Sequence, residues 1–508
     1  MLAQAISRSI QIHGHRPAIV GEGNPISWRE FGEQVARTAG GLRSLGCKPG
    51  DRVAILAANT AEHLTMIYAI YWAGCVLVPL NTRLSVDELT TIVTQSDSVA
   101  FASDDRNKEV AQQVLKNTDS SLKSIALNQK SFGDNTLTGL QSSSGPEAWP
   151  ASPSNLAALY YTGGTTGQPK GVMTSHGASI FQAQNMVNDL KLTEDSIYLH
   201  VPPIFHIAGA GTGQACAFVG GAQAFIQEIE PLDLVARIAD VKATVLCLVP
   251  TLIADIVEIE EISDYFKFVQ TISYGTAPIS ETLLTKVIEN CPDLELVQFY
   301  GQSECMGPCT ILSNARHALT GALSGKLNTV GVATNGNEIR IADEQGQTVE
   351  NGVEGEILLR APSVMQGYWK QPEKTAETLK DDWLHTGDAG VMDEEGFIRV
   401  VDRLKDMIIT GGENVFCGEV ENVIAHHPAV QYCAVIGLAD EKWGERVHAV
   451  IGLKEDSSLD IEELRTHCRQ HIAGYKCPKS VSFTTEPLPL SAVGKIRKDV
   501  LRKKYATG

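Results

Sequence analysis

The chain has 508 residues, 43% hydrophobic and 20% charged, enough for three or four cores and unlike a disordered or membrane chain. A formal net charge of −18 argues against an extended nucleic-acid surface, which needs a positive footprint. Cysteines scattered from Cys47 to Cys477, with no apolar leader in residues 1–16, point to a reduced, cytoplasmic setting.

In chain order, Phe31, Val35, Ala39 and Leu42 form one helical stripe, and RVAILAA from Arg52 reads as a strand. The apolar run Leu64 to Leu80 is shorter than the ~20 residues of a membrane span and contains Gly74 and Pro79. A buried helix followed by a buried strand is therefore expected, without stable membrane insertion. Ser85 and Glu88 form an S-x-x-E start for a helix, and VAFAS from Val99 supplies the next strand. Such alternation predicts mixed or parallel sheets with helices on their faces. The chain turns polar between about residues 117 and 154, where SSSGPEAWPASPS from Ser142 reads as a surface connection. After Asp402 comes a smaller α+β pattern: a helix near Glu419 to His427, strands VQYCAVIG and RVHAVIGL, and a helix from Asp460. Cys305 and Cys309 are too sparse a pair to predict a metal site.

The densest local signal is YYTGGTTGQPKG, Tyr160 to Gly171, which follows the strand NLAAL and precedes a helix starting near Ser175. Strand, glycine-rich loop and helix suit a phosphate. Gly163, Gly164 and Gly167 let backbone N–H groups approach its oxygens, Thr162, Thr165 and Thr166 add hydroxyls, and Lys170 adds charge. The spacing is not that of the G-x-x-x-x-G-K-[ST] loop.

This segment resembles the signature loop of the adenylate-forming (AMP-binding) superfamily, in its acyl-CoA synthetase and aryl-CoA ligase branch. The resemblance runs through PPIFHIAG from Pro202, YGTAP from Tyr274, YGQSE from Tyr300, GEILLRAPSVMQGYWKQPEKTAETL from Gly355, WLHTGD from Trp383, VDRLKDMIITGGENV from Val401 and PLSAVGKIRK from Pro489. It implies an α/β fold, with a large N-terminal domain of mixed and parallel sheets flanked by helices, a β-barrel-like subdomain and a small mobile α+β C-terminal domain. The implied division is residues 1–401, a hinge at 402–405, and 406–508.

The resemblance also implies roles. ATP phosphates would meet Thr162 to Gly167 and Lys170; adenine would meet Gly275, Thr276, Ala277 and Pro278; and Tyr300, Gly301, Gln302 and Ser303 would line the nucleotide. Thr276 stands where the family usually has Gly or Ala, and Ser303 where it often has Thr. Glu304 would hold Mg²⁺, consistent with a metal that takes one or two carboxylates and keeps waters, although a lone turn Glu is more often simply exposed. Asp388 would accept bonds from the ribose hydroxyls with Arg403 beside it, as suits an acceptor-only carboxylate. Lys495 would be the mobile counter-charge for the transferring phosphoryl group, although by composition it belongs to a basic tail with the look of a solvated helix face. Lys405 would be the hinge, Gly411, Gly412 and Glu413 the face used for thioester formation, and Trp443 a wall of the pantetheine path.

His206 matches the P-x-F-H-x-x-G form of acyl- and aryl-CoA synthetases and would gate the acyl pocket. That pocket would draw on Phe205, His206, Ile207, Ala208, Tyr274, Gly275, Thr276, Gly301, Met306 and Gly307, mostly apolar or small residues that suit a hydrophobic monocarboxylic acid. The expected activity is AMP-forming ligation of an aryl or medium-chain acid to coenzyme A with ATP and Mg²⁺. The expected partners are thus small molecules, with a homodimer left open. A carrier-protein-loading enzyme and a long-chain fatty acyl-CoA synthetase are the alternatives; a luciferase-like oxygenase or inactive module is disfavoured by the intact motifs.

Overall fold

A computed structural model describes the chain apart from residues 22, 129–132, 163–168, 278, 412, 441, 456, 491–495 and 507–508, and apart from the side chains of Lys405 and Asn414. It divides into two compact units, Met1–Glu338 with Leu359–Leu384, and Ile339–Leu358 with His385–Gly508. Residues 402–405 fall inside the second unit, at the end of the strand Ile398–Arg403 and in the 3-10 turn that follows.

The first unit holds two large sheets. In the seven-stranded one, the parallel strands Lys123–Ala126, Ser98–Ser103, Arg52–Leu56, Val76–Pro79 and Leu156–Thr162 lie side by side, and Lys170–Ser175 closes one edge antiparallel. The nine-stranded sheet runs parallel through Ala222–Phe225, Ile197–His200, Val245–Leu248, Thr271–Gly275 and Glu295–Gln302, then turns antiparallel at Gly307–Leu312. Such strands are buried on both faces, which explains their near-continuous apolar runs.

The run Leu64 to Leu80 forms the buried helix Ala61–Ala73 and the buried strand Val76–Pro79, as its composition predicts. Ser85 caps the helix Val86–Gln95 in a full capping box with Glu88. The polar stretch after residue 117 is not all connection. Lys123–Ala126 is a strand inside the first sheet, with Ser124, Ile125 and Ala126 buried, a run too short for periodicity to reveal. No helix among the described residues is long and apolar enough to cross a membrane.

One sheet carries the neighbouring strands Gly355–Arg360, Trp383–Met392 and Ile398–Arg403, most of whose residues belong to the second unit. Another is built on the hairpin Val430–Asp440 and Gly444–Leu453, joined by Ile408–Thr410 and Ser480–Phe483. The helices Cys417–Ala425 and Ile461–Arg469 pack their apolar sides against one face of this sheet. Leu501, from the helix Lys498–Tyr505, packs on Ala434, Ile436 and Leu438.

Candidate active site

The glycine-rich segment closes a hairpin. Leu156–Thr162 pairs antiparallel with Lys170–Ser175, and Thr162 faces Lys170 at its open end. Gly163, Gly164, Thr165, Thr166 and Gly167 lie outside the described residues. The expected strand–loop–helix order is therefore corrected: a second strand intervenes, and the helix His176–Asp189 starts at its far end, where Ser175 Oγ accepts from Ala178 N at 3.1 Å. The six-residue strand from Lys170 to Ser175 spans roughly 16 Å, too far for the helix dipole to assist at the loop.

A distant segment straps this hairpin. Met173 N donates to Gly367 O at 2.9 Å, Gln366 N to Met173 O at 2.9 Å and Trp369 N to Gly171 O at 2.7 Å. Gln371 Nε2 reaches Pro169 O at 3.2 Å, next to the loop itself. The strap carries Tyr368, whose ring lies 5.0 Å from Lys170 Nζ and whose hydroxyl donates to Glu304 Oε1 at 2.8 Å. Burial, with the Glu304 carboxylate nearby, pushes the Tyr368 phenol above its usual range, so it remains a donor. Glu304 sits in the 3-10 turn Ser303–Cys305, and its carbonyl accepts from Met365 N at 2.8 Å. With Oε1 occupied by a neutral donor, the carboxylate keeps the acceptor capacity that one Mg²⁺ ligand requires. Among the described residues no three His, Cys, Asp or Glu side chains gather as a metal site, so phosphate oxygens would have to complete the shell.

The strands Thr271–Gly275 and Glu295–Gln302 end beside one another, and their glycines are forced by close backbone approach. A Cβ on Gly275 would lie 2.2 Å from Phe299 O, and one on Gly301 only 1.9 Å from Gly307 O. Thr276 follows at φ 66°, a conformation that favours glycine and accounts for the family's preference there. Ala277 lies in the same bend, and Pro278 lies outside the described residues. The Tyr274 ring is packed in the apolar core, with its hydroxyl 2.7 Å from His317 Nε2. Burial lowers His317 to about 4. The Tyr274 hydroxyl is thus engaged within the core.

Asn59 braces the segment from His200 to Ile204. Its Nδ2 donates to His200 O and Pro202 O, both at 3.1 Å, and its Oδ1 accepts from Ile204 N at 2.9 Å. This positions Phe205 and His206 at the start of the helix Ile207–Val219. His206 Nδ1 accepts from Ala208 N at 3.2 Å, so in the neutral ring Nε2 carries the proton. Phe205 and Ile207 are buried and Ala208 half-buried. Met306 at φ 58° and Gly307 turn the chain into the next strand, where Gln182 Nε2 holds Pro308 O at 2.7 Å. Tyr300, Gly301, Gln302 and Ser303 lead into that turn, half-buried.

In the second unit, Asp388 is buried and its Oδ1 lies 2.7 Å from Arg403 Nε, across the strand pair that sets the two opposite one another. Glu356 orients the approach to Asp388, with Oε2 2.7 Å from His385 Nδ1 and Oε1 accepting from Gly387 N at 2.9 Å. Asp402 Oδ2 accepts from Gly418 N at 3.0 Å, while Asp406 pairs with Arg502 at 2.9 Å. Gly411 N donates to Trp443 O at 2.8 Å, and Glu413 pairs with Thr410. The Trp443 indole is 41% exposed, with Lys442 Nζ 4.8 Å and Lys479 Nζ 5.9 Å from its ring. Gly412, Lys495 and the Lys405 side chain lie outside the described residues.

Residues 6–369 match the AMP-binding enzyme family, and residues 419–495 match the AMP-binding enzyme C-terminal domain. The chain belongs to the AMP-binding enzyme family. It is similar to a feruloyl-CoA synthase of Amycolatopsis sp, 34% identical over 98% of both chains. It is also similar to the fatty acid–[acyl-carrier-protein] ligase ScoC of Streptomyces coeruleorubidus, 31% identical over 99% of this chain and 96% of that one. Among solved structures it is similar to o-succinylbenzoate CoA synthetase of Bacillus subtilis in complex with its acyl-adenylate intermediate, at TM-score 0.85 and 28% identity over 98% and 97% of the two chains. Three residues whose hydrogen bonds organise these segments were not singled out in the sequence: Asn59, Glu356 and Tyr368. For Tyr368 the signal was its place in the quoted GEILLRAPSVMQGYW stretch, but its partners lie 64 and 198 positions upstream and periodicity does not reach them.

Proposed function

We propose that the chain is an AMP-forming carboxylic acid:CoA ligase acting on a hydrophobic monocarboxylic acid, aryl or medium-chain aliphatic. The acid's carboxylate attacks the α-phosphorus of ATP and pyrophosphate leaves; the thiol of coenzyme A then attacks the acyl carbonyl and AMP leaves. The observation that carries this reading is the juxtaposition of Lys170, Tyr368 and Glu304 at the mouth of the glycine-rich hairpin in a chain of this family. It gathers a phosphate-binding cation and a single metal-binding carboxylate. Bound magnesium supplies charge neutralisation to the phosphates.

The chain's own residues do the rest. Thr162 and Lys170 hold phosphate oxygens, Gly275 and Gly301 bring backbone close to the nucleotide, and Asp388 with Arg403 binds the ribose diol. Lys495 offsets charge on the transferring group. His206, with Nε2–H, stands beside Phe205, Ile207, Ala208, Met306 and Gly307 as the acyl gate. The small domain turns about Lys405, a turn that would release the Asp402–Gly418 hydrogen bond spanning it, and then offers Gly411 to Glu413 and Trp443 to the thiol. A cytoplasmic setting suits its eleven free thiols.

An acid panel incubated with ATP, magnesium and either CoA or a carrier protein tests this. Pyrophosphate and AMP should appear in step with CoA consumption. Pyrophosphate without CoA consumption would transfer the reading to a carrier-protein ligase, the second possibility that the similarity to ScoC favours.

A further inference from the structure

Lys170 and Glu304 carry opposite charges at the same mouth, yet each turns to Tyr368 and not to the other. The ammonium lies over the ring face at 5.0 Å, and the carboxylate accepts the phenol's proton at 2.8 Å. Two such side chains free to meet would form an ion pair, and binding Mg·ATP would first have to break it. Resting on the ligase reading above, we propose that Tyr368 is a positioning residue that keeps Lys170 and Glu304 apart, reserving the first for phosphate and the second for the metal.

The surroundings make Tyr368 rigid enough for this. It is 5% exposed, its backbone bridges Val172 in the hairpin's second strand, and its N–H donates to Thr375 Oγ1 at 2.9 Å. The flanking bonds from Gly367, Trp369 and Gln371 hold the strap's backbone along Pro169, Gly171 and Met173, and burial of the ring holds its rotamer. A ring face attracts a cation without neutralising it, and a phenol donor satisfies one carboxylate oxygen without supplying a positive charge. Both contacts are weak enough to be exchanged when ligands arrive, whereas a direct pair at this half-buried site would compete with them.

The two halves of the role separate by mutation. Tyr368→Phe keeps the ring for Lys170 and removes the donor to Glu304; Tyr368→Leu removes both. Nucleotide binding is measured by calorimetry on the full chain, with ATP alone and with ATP across a magnesium titration. For Tyr368→Phe the magnesium concentration giving half-maximal enhancement of ATP binding should rise about tenfold, the scale of losing a hydrogen bond to a charged group. Its affinity for ATP without magnesium should stay within about twofold. Tyr368→Leu should weaken metal-free ATP binding as well. Circular dichroism melting curves establish that each variant is folded. If folded Tyr368→Phe shows the wild-type magnesium dependence, the positioning role is overturned while the ligase reading stands. If the wild type binds no ATP at all, the ligase reading itself falls.

Discussion

Replacing Gly301 by alanine places the new methyl 1.9 Å from Gly307 O, 2.7 Å from Gly307 C and 3.0 Å from Pro308 Cα. All three neighbours are backbone, so no side chain can rotate away. Reaching even 3.0 Å requires the strand pair Glu295–Gln302 and Gly307–Leu312 to part by roughly 1 Å, at a point where its register is already shifted between Tyr300 and Gly301. Overpacking of this kind costs about 1–3 kcal/mol in stability. The larger effect should be chemical, because the turn between these strands carries Glu304, and a displacement of about 1 Å in a reacting constellation costs on the order of 10² in rate. ATP–pyrophosphate exchange with an accepted acid is the appropriate assay, with Gly474→Ala, whose Cβ would meet nothing within 4 Å, as the control. A folded Gly301→Ala enzyme exchanging at the wild-type rate would refute the claim that this hairpin's geometry positions the site.

Lys495→Ala should slow adenylation by about 10² or more while sparing thioester formation from preformed acyl-AMP, as single-turnover rates for each half-reaction can measure. Glu421→Ala should destabilise the second unit by about 2–4 kcal/mol in urea denaturation, because it strands Lys498 and removes the acceptor that holds Val435 N at 2.7 Å. Acid should weaken the fold below neutrality. Burial lowers His317 from 6.5 to about 4, so between those values the unfolded chain binds a proton that the native state refuses. Stability present above pH 6.5 is therefore lost as pH falls towards 4, by roughly 3 kcal/mol for this group, and His317→Gln should show a shallower pH slope of denaturation midpoints across that window.

Where the sequence was legible, a local rule sufficed. The Ser85 and Glu88 box sits at the predicted helix start, and the second unit's hairpin and helices follow their apolar periods. The glycine-rich segment misled because the strand KGVMTS is short, has no clear period and lies between the loop motif and the helix start near Ser175, so it reads as part of the loop. The basic tail misled for a different reason. Lys498 looks like a solvated charge in composition, but it is half-buried against Glu421, and although burial opposes its charge, that carboxylate, with Cys417 and Asp402, holds its pKa above the usual lysine range. Tertiary partners of this kind, like those of Tyr368 and Asn59, come from parts of the chain that no window spans.

The second unit is assembled from two separate stretches, with residues 359–384 returning to the first unit between them. The strand Gly355–Arg360 therefore leaves the ribosome well before its neighbour Trp383–Met392 is complete. At about 5–20 residues per second the delay lasts a few seconds. Throughout it a newly made sheet edge stays open to other nascent chains, which makes the speed of translation across this interval a determinant of how much enzyme is recovered folded.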